Sequence, residues 1–146
     1  MDALDIAIAL IKRFEGFYPH PYLDPVGIPT IGYGTIRYPD RRAVSMSDPP
    51  VTKEQAEAVL RHHLMVDVVP AVARLCPELD TPARVAAILD WTYNLGAGNL
   101  RASTMRRRIN EREWPAVPGE VRRWNRAGGL VLRGLVLRRE AEAVLI

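Results

Sequence analysis

Glu15, Asp24 and Thr30 place two carboxyls and a hydroxyl in one short stretch of chain. Each has a plain structural reading. Glu15 can be a solvated residue at a helix end. Asp24 opens Asp-Pro-Val-Gly, a good turn with Asp first, Pro second and Gly fourth. Thr30 suits a strand. Together they suggest acid–base chemistry. Glu15 follows Ile11 by four residues, so it borders an apolar helical stripe. It also falls in the last helical turn, where the dipole disfavours a negative charge. Both settings favour the protonated form that a general acid needs. Asp24, in a tight turn, is expected to be more solvated and to stay ionised. Two carboxyls pushed apart in this way are an acid/base signature. With a hydroxyl to orient a water, they suit glycoside hydrolysis, in which one carboxyl protonates the leaving oxygen and the other assists water.

Local signals outline the elements that must hold these groups. Asp2 is a helix cap, Leu4, Ala7, Ile8, Ile11 and Phe14 keep helical spacing, and Gly16 stops the helix. Pro19, Pro21, Pro25 and Pro29 exclude a helix next, and Ile28–Ile36 reads as a strand or part of a hairpin. Residues 37–50 read as a turn and a short edge strand. Thr52-Lys-Glu-Gln55 is a capping box that starts a helix through about Val69, with Ala56, Val59, Leu60 and His63 facing inward. Thr81-Pro82 starts a helix that ends at Gly96. Ser103 caps another that ends near Asn110. A short helix over Pro118–Trp124 and a last one over Leu135–Leu145 complete the reading. Residues 1–146 therefore read as one α+β domain, mostly helical. A small β-containing lobe covers about 16–51, a helical lobe covers about 52–146 plus the first helix, and a cleft lies between them.

The spacing Glu-x8-Asp-x5-Thr resembles the catalytic triad of the phage-type lysozymes, the endolysins of glycoside hydrolase family 24. The flanks are similar too: Phe14-Glu-Gly16, Tyr22-Leu-Asp24, Pro29-Thr-Ile-Gly-Tyr-Gly34, Thr52-Lys-Glu-Gln-Ala56, Asn94-Leu-Gly96 with Ser103-Thr104, and, near the end, Trp124-Asn125, Ala127-Gly-Gly129, Gly134-Leu135 and Arg138-Arg-Glu140. The resemblance implies a lysozyme-like fold and a muramidase. Such an enzyme cleaves the β-1,4 bond between N-acetylmuramic acid and N-acetylglucosamine of peptidoglycan with inversion. Glu15 would be the acid, and Asp24 and Thr30 would position and activate water. It implies a monomer that needs no metal or cofactor, accumulates in the host cytoplasm and reaches the wall with the help of a holin. Residues 37–50 match nothing specific in the family.

Other residues carry two readings each. Tyr22 and Tyr33 line a sugar groove or pack the small lobe. His20 contacts substrate or stands at the rim. Asn94 bonds into the cleft or caps its helix. One of Arg138 and Arg139 braces Glu15, or both are solvated. His62 and His63 are adjacent and so face different ways, which makes a poor metal pair. Trp91, Trp114 and Trp124 read as core. Cys76, the single cysteine, reads as a small buried hydrophobe and excludes an intrachain disulfide.

Composition bounds the remainder. At 146 residues with 48% hydrophobic and 25% charged side chains, the chain is long enough for a core and unlike a disordered one. The apolar run Ile6–Ile11 follows Asp2 and Asp5. It is too short for a span of roughly 20 residues and does not read as a secretory signal. Residues 101–146 are rich in Arg, which suggests an anionic partner. Among Leu and Val these arginines allow a second function, disruption of an anionic bacterial membrane or outer-membrane surface. No nucleic-acid-binding motif is present.

Overall fold

The computed structural model describes residues 2–146. Helix α1 spans Ala3–Glu15. The Asp2 carboxylate accepts the Asp5 N–H at 2.8 Å, and Gly16, at φ 74°, ends the helix. Ala7, Ile8 and Ile11 are buried, as their spacing requires.

Strands β1 (Tyr18–Leu23) and β2 (Pro29–Gly32) form an antiparallel hairpin that pairs Tyr22 with Thr30 and Leu23 with Pro29. Its ladder is irregular between Tyr18 and Tyr22, where Pro19 and Pro21 have no N–H to donate. The expected strand Ile28–Ile36 thus stops early, and Ile31 meets Thr35 only as an isolated bridge. Residues 37–50 form no edge strand. They hold one bridge, Arg37 to Ala43, and are tied by Asp48, which accepts from Tyr38 Oη at 2.7 Å and the Ser45 N–H at 2.9 Å.

Helix α2 (Lys53–His63) has both bonds of the Thr52–Gln55 capping box. The helical path does not end near Val69. It widens to a π-helical turn over Leu64–Val68 and continues as α3 (Val69–Leu75). Pro70 explains this, because it lacks an amide proton and its ring crowds the carbonyl one turn back.

Helix α4 (Pro82–Leu95) is the centre of the molecule, with every residue from Ala86 to Thr92 buried. An α-helix enclosed all round must lie inside a bundle. Helix α1 packs along it, and α8 (Arg133–Ala143) packs against both. Between them come α5 (Ala97–Ala102), α6 (Thr104–Asn110), a 3₁₀ turn over Trp114–Ala116, α7 (Val117–Arg122) and a two-residue hairpin, β3 (Arg126–Ala127) with β4 (Leu130–Val131). The expected last two helices are thus each shifted by one or two residues. The result is the expected α+β class, mostly helical with a small antiparallel hairpin.

Two expectations about side chains change. Trp91 is fully buried, but Trp114 and Trp124 are only partly covered. Trp124 meets Trp91 edge-on, and Arg84 lies over the Trp114 ring. His63 is half-exposed rather than inward. Arg138 is buried and reaches Glu15, as one of the two readings of the Arg138–Arg139 pair has it, and Arg139 is buried too. Cys76 is buried, and loss of water pushes its thiol up to about 11, so it is not nucleophilic at neutral pH.

Candidate active site

A cleft of about 480 Å³ joins the hairpin lobe to the helices. Glu15, Asp24 and Thr30 all line it. So do Tyr22 and Asn94 from the expected sugar contacts. Two others do not line it. Tyr33 is buried and packs on Phe17 at 5.5 Å between ring centroids. It follows Gly32, where the chain turns at positive φ, and its side chain enters the core rather than the groove. His20 is exposed, in the irregular stretch of β1 between two prolines.

Glu15 closes α1, and its side chain is 21% exposed. Its Oε1 accepts from Arg138 Nη1 at 2.8 Å. The carboxylate therefore faces a cation as well as the apolar helix end described by its sequence neighbours. Gly34 leans on its other side. A Cβ at Gly34 would sit 2.8 Å from Glu15 Oε2 and 3.2 Å from Tyr93 Oη. Its φ of +84° also favours glycine, so backbone and space make the same demand. Tyr93 Oη donates to the Tyr33 carbonyl at 2.6 Å. Burial, and then the Glu15 charge, raise its phenol well above the ordinary value, so it remains a neutral donor.

Asp24 opens the turn as its sequence implies. Its Oδ1 accepts the N–H groups of Val26 at 2.9 Å and Ile28 at 2.8 Å. The Thr30 hydroxyl donates to the Ile28 carbonyl at 2.9 Å and is 4% exposed as a residue. With its proton committed, Thr30 Oγ1 can only accept a further bond. Tyr22 stacks on Tyr18 with centroids 4.2 Å apart, and burial followed by the Glu15 charge raises its phenol.

The cleft is also lined by residues that their sequence positions do not mark for it. Arg37, Tyr38 and Arg41 come from the loop, His62 and His63 from α2, and Asp67 from the π-helical turn. Arg41 grips Asp67 through two bonds of 2.9 and 3.0 Å, and His63 Nδ1 lies 2.8 Å from the same carboxylate. These contacts, Arg41 first, hold Asp67 below the usual carboxylate range. A partial signal is present in the sequence: two adjacent histidines at a helix end. No group of three or more His, Cys, Asp or Glu among the described residues is placed to hold a metal ion.

The fold agrees with those of known proteins. A family model described as phage lysozyme matches residues 12–142. The chain belongs to the phage lysozyme family. It is 32% identical over 145 residues to an endolysin of Bacillus phage B103, covering 99% of this chain but 54% of that protein. The chain thus spans about half the length of that relative. An endolysin structure from Escherichia coli O157:H7 phage FAHEc1 superposes with a TM-score of 0.89 at 34% identity, covering 99% of this chain and 92% of the other. The muramidase domain of SpmX from Asticaccaulis excentricus superposes at 0.81 with 30% identity, covering 95% and 92%. The loop over residues 37–50 contributes Arg37, Tyr38, Pro39 and Arg41 to the cleft.

Proposed function

We propose that this member of the phage lysozyme family is an endolysin that hydrolyses the β-1,4 bond between N-acetylmuramic acid and N-acetylglucosamine, with inversion, to lyse the host. The observation that carries the reading is the convergence of Glu15, Asp24 and Thr30 on one cleft in a chain that matches the family over residues 12–142. Glu15 gives its proton to the glycosidic oxygen as the bond to the anomeric carbon breaks. A water attacks that carbon from the other face. Asp24 takes one water proton and Thr30 Oγ1 accepts the other as a hydrogen bond, which aims the water's lone pair at the carbon. Glu15 ends as the carboxylate and Asp24 as the acid, and exchange with solvent resets both. Inversion requires carboxyls roughly 6.5–9.5 Å apart, with room for the water.

Tyr22 and Asn94 would contact the sugars. The two lobes would act as one catalytic domain in a monomer. No described helix is long and apolar enough to cross a membrane. Passage from the host cytoplasm to the wall would depend on a holin.

The test is Glu15→Gln on purified peptidoglycan, read as loss of turbidity, with folding checked by circular dichroism. Loss of general acid catalysis is expected to slow the reaction by roughly 10²–10⁴-fold. Mass analysis of the wild-type products gives a second check. A reducing end one water heavier supports hydrolysis, and a 1,6-anhydro end means that no water attacked.

A membrane-disrupting role draws on one feature. Leu130, Val131 and Leu132 are exposed beside Arg126 and Arg133. Against it, much of the C-terminal arginine charge is answered internally, as in Arg122–Glu140, Arg123–Glu120 and Arg108–Glu113. Dye leakage from anionic vesicles exposed to Glu15→Gln protein separates the two. Lysis that survives in that variant together with leakage would favour the membrane.

A further inference from the structure

Behind the cleft lies a buried cluster of ionisable side chains that the hydrolytic scheme does not use. Helix α4 supplies Asp90, and α8 supplies Arg138, Arg139 and Glu142, all buried. Asp90 accepts from Arg138 Nε at 3.0 Å and from Nη2 at 2.8 Å, a two-pronged grip on one edge of the guanidinium. The remaining nitrogen, Nη1, donates to Glu15 Oε1. A guanidinium is planar and rigid, so fixing one edge fixes the direction of the third donor. The Phe14 ring lies beside the same group, with the guanidinium carbon 5.7 Å from its centroid.

We propose that Asp90 is a positioning residue for the reaction, setting the angle and charge environment of the Glu15 carboxyl through Arg138. This rests on the reading of Glu15 as the general acid. Asp90 has no exposed surface and does not line the cleft, so it acts only through the arginine. Its negative charge also offsets the cation beside Glu15. Without it, the guanidinium beside Glu15 would lose the partner that fixes it and carry an unanswered positive charge. Other ionisable groups near Glu15 include Tyr22 and Asp24 from the hairpin, Tyr93 from α4, and Arg139 and Glu142 from α8 behind Arg138, and the same cleft is lined by Arg37 and Arg41 from the loop, His62 and His63 from α2 and Asp67 from the π-helical turn. None of them grips Arg138 by hydrogen bonds as Asp90 does.

The experiment compares full-length wild type, Asp90→Asn, Arg138→Lys and Glu15→Gln on soluble uncrosslinked peptidoglycan strands, with kcat and KM measured across pH. Asp90→Asn keeps the shape and removes the charge. It is expected to lower kcat roughly tenfold with KM within about twofold, and to move the alkaline limb of the kcat profile to lower pH. A purely structural role would leave that limb in place. Folded Asp90→Asn with the kcat and alkaline limb of the wild type overturns the proposal. If Asp90→Asn does not fold, Arg138→Lys decides. It keeps the charge but has no fork, so the same loss of kcat supports the proposal and a wild-type kcat overturns it. Glu15→Gln separates the two levels. If it hydrolyses normally, the acid assignment falls and the proposal falls with it. If it is inactive while Asp90→Asn is normal, only the positioning role is lost.

Discussion

Glu15, Asp24 and Thr30 converge because three local devices hold them. Glu15 is placed by the end of α1, Asp24 by its own Oδ1 bonds to two backbone N–H groups, and Thr30 by its bond to Ile28. Gly34 is a fourth device, one whose importance comes from space. Gly34→Ala would bring a methyl group against the Glu15 carboxylate at a φ that side chains rarely adopt. The strain is of order 1–2 kcal/mol. Displacement of the carboxylate is expected to cost about a hundredfold in kcat/KM, far more than the strain alone implies. Turnover and melting temperature measured on one preparation check this. A large loss of stability with activity per folded molecule unchanged would contradict it.

At the scale of elements, the caps and breakers were mostly readable. Asp2, Thr52 with Gln55, Thr81 with Pro82, and Ser103 start helices as their types suggest, and Gly16 and Gly96 end them. Each signal is local: a side chain bonding a backbone N–H within three residues, or a backbone that needs positive φ. Thr52→Ala is expected to lose about 1 kcal/mol, lowering the melting temperature by roughly 4 °C with activity retained at lower temperature. Thermal melts followed by circular dichroism test it. Elements that depend on pairing were read less well. The strand after Ile28 ended early, and residues 37–50 organised around Asp48 instead of a ladder. Pro70 was visible, but its consequence was not. A proline inside a helical stretch can stop it, kink it or widen it, and packing of Leu64, Val68 and Val72 into the core keeps the chain helical here.

At the scale of the molecule, the buried ionisable groups dominate. Glu142 and Arg139 have no exposed surface and meet at 2.7 Å. Burial, and then the neighbouring Asp90 carboxyl, push Glu142 up to about 10, so the folded protein holds a proton that the unfolded chain releases near 4.5. Its contribution to stability is therefore complete below the ordinary carboxylate range and is lost as pH rises toward about 10. Glu142→Gln keeps the shape with no ionisable group. It is expected to flatten the decline in stability between pH 5 and pH 9, measured by urea unfolding across that range. An unchanged slope would mean that Glu142 is ionised in the fold.

The basic C-terminal third also changed meaning at this scale. Read along the chain, its charge pointed outward to an anionic partner. In the fold, Arg138 and Arg139 turn inward, and Arg122, Arg123 and Arg108 are answered by glutamates. What the sequence alone determined is what neighbouring residues can decide among themselves: helix starts and stops, the Asp24 turn, the apolar face of α1 and the spacing that marks the family. Hydrophobic periodicity tells which side of a helix is buried, but not which polar group it will meet there. That choice fell to tertiary structure, because Asp90 and Arg138 are 48 positions apart and Glu15 and Arg138 are 123 apart. Tyr33 in the core, His63 on the cleft lining and Arg138 against Glu15 all follow from how the elements pack together.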